Sequence, residues 1–280
     1  MINTLISILF LYLPFQIALN PTEGIDLASI RLVIPIIFLI WLIQGLKNKN
    51  IFIPYNKITF FILSFLFLSG FSLIVATNME WGIRKLLFLL SIFPFYFVAN
   101  NTREKDIINI LKFLIWGALF SALIGIFQFF SQFIFGINKA IYIWGNAIVP
   151  FLGRSFSEAV LENSSWLVNA SGHTLLRAIA FFPDPHMFSF YLGMSAPIAL
   201  ALYLKLKNNR NFYLVSFFII LLADFLTFSR GGYLGIIAGL FFGAIIFLGK
   251  IFQNVERPNK KIANYIILYF YFYINIFHYS

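Results

Sequence analysis

The chain has 280 residues, 61% of them hydrophobic and only 11% charged, a composition that excludes a soluble globular domain and indicates an integral membrane protein. Its formal charge of +10 is not carried by a basic soluble domain, a zinc pattern or a basic helix, so it reads as a topology signal plus anion handling, with no nucleic-acid partner. With no cysteine there is no disulfide framework, thiol nucleophile or Cys-based metal site, and no other metal site is expected.

Apolar runs of about 20 residues suit helices that cross the hydrocarbon core, and the alternation of barrel strands is not seen. Nine such runs follow one another, at about 2–19, 27–46, 58–76, 83–99, 107–135, 186–204, 212–229, 231–249 and 262–278. The expected fold is therefore all-α, a polytopic bundle of about nine transmembrane helices forming one domain over 1–280. The first run lacks a basic leader and a small-x-small cleavage site, so it is read as a retained span. The fifth is long enough to tilt or to continue outside the bilayer.

Orientation follows from Lys and Arg in alternate loops. The loops at 47–57, 100–106, 205–210 and 250–261 carry three, two, three and four of them, whereas those at 20–26 and 77–82 carry none. The first set is cytoplasmic, and so is the amino terminus. The long segment at about 136–183 then falls on the outer side. In it "RSFSEAVLENSSWLV" places Ser155 and Glu158 at capping-box spacing, which predicts a short surface helix. Trp144 and Trp166 are candidates to stack on sugars. The chain re-enters at "FFPDPHMFSFYLG", where Asp184 can cap and Pro185 can open the sixth span.

This topology brings Arg31, Arg84, Lys85, Arg177 and Arg230 to one outer depth, although outward cations near span ends run against the positive-inside tendency. Separate snorkelling to headgroups is one explanation. A held anion is the other, and a diphosphate suits it, because arginine forks match phosphate oxygens and a lipid tail could stay in the bilayer. In "FLTFSRGGYLG", Gly231 and Gly232 would let two helices turn closely and expose backbone N–H groups beside Arg230. Asp224, six residues before Arg230, is an intramembrane carboxylate whose partner would come from another helix or whose role is structural.

"LTFSRGGYLGIIAGL" resembles the Thr-x-Ser-Arg-Gly signature of the O-antigen ligase and O-antigen polymerase superfamily of bacterial inner-membrane glycosyltransferases. "LLRAIAFFPDPHMFSFYLGMSAPIAL" is similar to the segment that precedes it in that family, and "GIDLASIRLVIPIIFLIWLI" has the look of an early family helix. The resemblance extends over essentially the whole chain. It implies a GT-C-like bundle, without a metal or other cofactor, that moves a glycan from a polyprenyl diphosphate donor to a glycan or lipid acceptor hydroxyl on the periplasmic side. Arg177 and Arg230 would act in catalysis on the diphosphate, and Arg31, Arg84, Lys85, His186 and Ser229 would bind substrate.

Family members continue with a further outer loop, later helices and a histidine that helps to activate the acceptor, whereas this chain stops at "NYIILYFYFYINIFHYS". The expectation is a shortened member that lacks the later catalytic loop, with His278 not standing in for that histidine. Two other classes stay open: a flippase or transporter of lipid-linked glycans, and an inactive truncated membrane protein. Neither inverted repeats nor midplane binding groups, which transporters often carry, are visible.

The absence of native cysteine makes the topology testable without background. Single cysteines at Asn78, Ser157 and Asn169 are expected to react with an impermeant maleimide in intact spheroplasts, and those at Asn48, Asn208 and Asn259 are not. Labelling at Asn208 but not at Ser157 would reverse the orientation.

Overall fold

A computed structural model describes residues 2–22, 25–49, 51–154, 164–170 and 172–253. The expected surface helix at Ser155–Glu158, the ninth apolar run at 262–278 and His278 lie outside the described residues. The rest is mostly helical, and five helical stretches are long and apolar enough to cross a membrane: Ile30–Lys47, Lys57–Val75, Met79–Asn100, Lys105–Phe135 and Pro185–Lys205. They match the second to sixth apolar runs.

The first run departs from expectation. Helix α1, Ile2–Tyr12, gives way to a 3-10 turn at Leu13–Phe15 with Pro14 at its start, since proline cannot donate to a continuing helix. The chain then forms an antiparallel hairpin of β1 (Ala18–Thr22) and β2 (Ile25–Ala28). Tyr12 Oη and Ser29 Oγ share a hydrogen bond of 2.5 Å across its base. Helix α2 follows at Ile30–Lys47. Asn56 caps α3 (Lys57–Phe71) and Asn78 caps α4 (Met79–Ile92), each side chain accepting from a backbone N–H three residues on. Pro94 opens α5, Pro94–Asn100.

Helix α6, Glu104–Phe135, is the spine of the molecule. Its 32 residues span about 48 Å, well beyond a hydrocarbon core of about 30 Å. The long connecting segment that follows holds more structure than its sequence announced: α7 (Ile137–Ala147), α8 (Val149–Leu152) and a second hairpin, β3 (Leu167–Ala170) with β4 (His173–Leu176). Helix α9, Pro185–Lys205, begins as expected, with Asp184 as cap and Pro185 in the first turn. Helix α10, Arg210–Phe225, is shorter than the seventh run, because 226–229 form a turn before α11, Arg230–Gln253.

Small residues let α6, α9 and α10 approach closely: Ala118, Ala122, Ala196, Ala199 and Ala223 are buried beside Ile115, Phe188, Leu192 and Ile220. A second cluster joins α1, α2 and α5 through Ile6, Leu9, Ile34, Trp41 and Val98. By contrast, 6% of Lys57–Val75 and 6% of Met79–Asn100 is buried, against 50% and 56% in Lys105–Phe135 and Pro185–Lys205. The α3–α4 pair turns nearly its whole surface outward.

Alternate connections gather at opposite ends. At one end Asn3 Nδ2 donates to Asp106 Oδ2 (2.6 Å) and Asn101 Nδ2 to the Phe52 carbonyl (2.9 Å). At the other, Phe181 packs on Phe151 and Phe15, with ring centroids 4.0 and 6.0 Å apart. Here the C-terminal end of α6 holds the segment that leads to Arg177. Gln132 takes the Leu176 N–H (2.8 Å) and donates to its carbonyl (3.1 Å), and Gln128 Oε1 accepts from Ile179 N and Ala180 N at 2.9 Å each.

Gln128→Leu strands those two buried N–H groups, each costing about 1–3 kcal/mol when left unpaired. The variant should melt clearly earlier in detergent than the wild type, whereas Phe130→Leu on an exposed face of the same helix should not. Equal melting temperatures would show that the two groups find other partners.

Candidate anion site

The site is built on the turn between α10 and α11 and on the first turn of α9. In the turn, Thr227 Oγ1 donates back to the Asp224 carbonyl (2.7 Å) and accepts from Ser229 N (3.2 Å). Phe228 takes a left-handed conformation (φ 50°), uncommon for a non-glycine residue, which reverses the chain between the helices. Ser229 then caps α11, its Oγ accepting from Gly232 N at 3.2 Å and its carbonyl from Tyr233 N at 3.1 Å. Tyr233 reaches back to donate to the Phe225 carbonyl.

Arg177 lies across this turn. Its Nε donates to the Thr227 carbonyl (2.7 Å), one terminal nitrogen to the Phe228 carbonyl (3.1 Å) and the other to the Ser165 carbonyl (3.2 Å). Each terminal nitrogen keeps a second N–H. The backbone is stitched alongside, with Ala178 N on the Leu226 carbonyl at 3.0 Å and Arg177 N on the Trp166 carbonyl at 2.9 Å. Burial pulls the Arg177 guanidinium below its ordinary pKa, and the nearby Asp184 carboxylate opposes that shift.

His186 stands on the rim. Its backbone N donates to Asp184 Oδ1 (2.7 Å), and its ring Nδ1 meets Ser229 Oγ at 2.9 Å, so the first turns of α9 and α11 are tied side chain to side chain. The imidazole is exposed while Ser229 is fully buried. Arg230, the next residue, is exposed and makes no hydrogen bond or ion pair among the described residues. Arg177, His186, Ser229 and Arg230 thus meet at the α10–α11 turn.

The other three expected substrate residues group elsewhere. Arg31 lies over the ring of Phe88, 4.6 Å from its centroid, and its Nε is buried with no hydrogen-bond partner among the described residues. Arg84 and Lys85 sit one turn before Phe88 on α4; Arg84 pairs with Glu80 at 2.5 Å on an exposed face, and Lys85 is exposed. No hydrogen bond or ion pair among the described residues joins this group to Arg177 or Arg230. Among the described residues, no group of three His, Cys, Asp or Glu stands where it could hold a metal ion.

Trp144 and Trp166 are not placed to stack on sugars. Both are buried in one cluster with Ile148, Leu176 and Ile179, and their indole N–H groups are used, on Ser131 Oγ (2.9 Å) and the Pro183 carbonyl (3.3 Å). Asp224 finds its partner on another helix: Ser189 of α9 donates to Oδ1 at 2.5 Å, and Oδ2 has no partner among the described residues. Sequence reasoning missed Gln128, Gln132 and Ser189. The signal was there for the two glutamines, polar residues four apart on one face of an apolar helix.

Compared with models of protein families, with curated proteins and with solved structures, the chain finds no match in any of the three.

The two glycines of the turn are not equivalent. A Cβ on Gly232 would collide with Ser189 Oγ and approach Asp224 Oδ1 to 3.4 Å, whereas one on Gly231 would meet only Phe190, at 3.9 Å. Gly232→Ala should therefore destabilise by about 1–3 kcal/mol through overpacking, while Gly231→Ala is neutral or gains up to about 1 kcal/mol of helix propensity. Thermal unfolding of the two variants in one detergent measures this. Equal losses would show that the close approach of α11 to Ser189 is not rigid.

Proposed function

We propose that the chain is a bacterial inner-membrane glycosyltransferase of the O-antigen ligase and polymerase type, a GT-C-like bundle of about nine spans with its amino terminus in the cytoplasm. It takes a glycan from a polyprenyl diphosphate and passes it to the hydroxyl of a glycan or lipid acceptor on the periplasmic side. The observation that carries this reading is the union of two segments 50 residues apart: the guanidinium of Arg177 rests on the carbonyls that lead directly into Arg230. Both segments are those that resemble the family.

In this reaction the acceptor oxygen bonds to the anomeric carbon, the bond from that carbon to the diphosphate oxygen breaks, and the electron pair leaves with the diphosphate. The acceptor proton passes to a base. Negative charge builds on the leaving diphosphate, where fixed cations at a helix start stabilise the transition state most. Arg230, which has no partner among the described residues, is the fork for those oxygens. Arg177 supplies a second positive charge and, through the carbonyls it holds, fixes where Arg230 emerges. Arg31, Arg84 and Lys85 meet the lipid-linked substrate farther along the outer face. No metal or other cofactor enters this scheme.

Binding of a short polyprenyl diphosphate to the purified full chain tests the reading. Arg230→Lys keeps charge but loses the fork, and should weaken binding by about tenfold or more, the worth of a charge-assisted hydrogen bond. Lys139→Ala in the outer segment should change little. Equal affinity in wild type and the Arg177→Ala, Arg230→Ala double mutant, at equal yield of folded protein, would overturn it.

A further inference from the structure

The proton of the Ser229 hydroxyl decides how His186 meets a ligand. Ser229 is fully buried, and its Oγ already accepts from the Gly232 N–H as the cap of α11. A buried hydroxyl must also place its own proton. Among the described residues the remaining polar atom in reach of Ser229 Oγ is His186 Nδ1, at 2.9 Å. If Nδ1 carried a hydrogen, two donors would converge on Oγ and the hydroxyl proton would be left without an acceptor. With Ser229 as donor to Nδ1, every group is satisfied, and the hydrogen of the neutral ring sits on Nε2.

We infer that Ser229 is a positioning residue that locks His186 in its Nε2–H tautomer, so that His186 and Arg230 form a pair of outward hydrogen-bond donors for phosphate oxygens. The inference rests on the proposed function for the identity of the ligand, a lipid diphosphate, and adds what the histidine does there. It donates a hydrogen bond to the bound oxyanion and is not the base that takes the acceptor proton. Its position supports this. The imidazole is exposed at the first turn of α9, its backbone N–H is already held by Asp184, and the bonded Ser229 directly precedes Arg230, whose guanidinium has no partner among the described residues.

The chemistry recognised is a phosphate oxyanion, which an anionic phospholipid headgroup could also supply. The experiment uses the full chain with 15N-labelled histidine, the His186 signals being assigned by their loss in His186→Gln. In the wild type Nδ1 should show the shift of a bare acceptor nitrogen and Nε2 that of a protonated one. Farnesyl diphosphate should then move the Nε2–H resonance, and phosphatidylglycerol nanodiscs alone should not. Ser229→Asp keeps a good helix cap but can only accept, so Nδ1 should become protonated, a change that a purely capping role would not produce. For binding, His186→Gln, which sets an N–H near the place of Nε2, should stay within about threefold of wild type, and His186→Ala should lose about tenfold, the worth of one hydrogen bond to a charged group.

A protonated Nδ1 in the wild type overturns the tautomer assignment whatever the ligand does. Diphosphate binding that leaves Nε2 unmoved overturns the donor role while leaving the proposed function intact. A shift with phosphatidylglycerol equal to that with farnesyl diphosphate overturns the lipid diphosphate as ligand. No diphosphate binding by the wild type at all sinks the functional reading together with the donor role, and the nitrogen shifts still decide the tautomer.

Discussion

One buried arginine organises the end of the molecule where α10 turns into α11. Where α10 ends, its last carbonyls lose their helical partners and carry the negative end of the helix dipole. Arg177 supplies a cation and N–H donors at that point, bonding the carbonyls of Thr227 and Phe228 while its other terminal nitrogen holds Ser165. The left-handed Phe228, costly alone, is kept by this bond. Without it the turn would have buried carbonyls and no donor, and neither Ser229 nor Arg230 would have a fixed address.

The position of Arg177 is set in turn by α6. Gln128 and Gln132 act as side-chain surrogates for a strand, pairing with the backbone at Leu176, Ile179 and Ala180 on both sides of the arginine. From the opposite flank, Ser189 and Asp224 join α9 to α10, and Gly232 lets α11 lie directly against them. The site is thus a junction of four helices in which polar side chains from the apolar interior bond the backbone or one another. Such groups are rare in membrane interiors because each must be paired, and their gathering here marks the place where the fold is most constrained.

Much of this was legible in the sequence. The apolar runs located the five long helical stretches, Asp184 and Pro185 announced the start of α9, and the TFSRGG turn and Arg177 were both singled out. What could not be read was who answers whom. The run that became α1 looked long enough to span because hydropathy is blind to the break that Pro14 starts, and the tail of that run went into a hairpin. Trp144 and Trp166 looked like exposed platforms because a long loop is expected to be open, whereas α7 and the β3–β4 hairpin gave that loop a core of its own. The cations were expected to share one site by depth alone. Depth fixes one coordinate of three, and Arg31 came to lie with Phe88, Arg84 and Lys85 on α2 and α4. Gly231 and Gly232 were alike in sequence, and only the packing of Ser189 beneath the second tells them apart.

The near-naked α3–α4 pair carries a different lesson. Phe60, Phe67 and Trp81 stand more than 60% exposed, and most of what these helices touch is not protein. Acyl chains are therefore their missing packing partner. The molecule is held by its own side chains on the α6–α9–α10 side and by far fewer of them on the α3–α4 side, so local stability differs between the two. A thinner or looser amphiphile would loosen one flank and leave the arginine junction standing. In this sense the apolar surroundings are a part of the fold, written into the sequence as aromatic and aliphatic side chains that no other segment among the described residues covers.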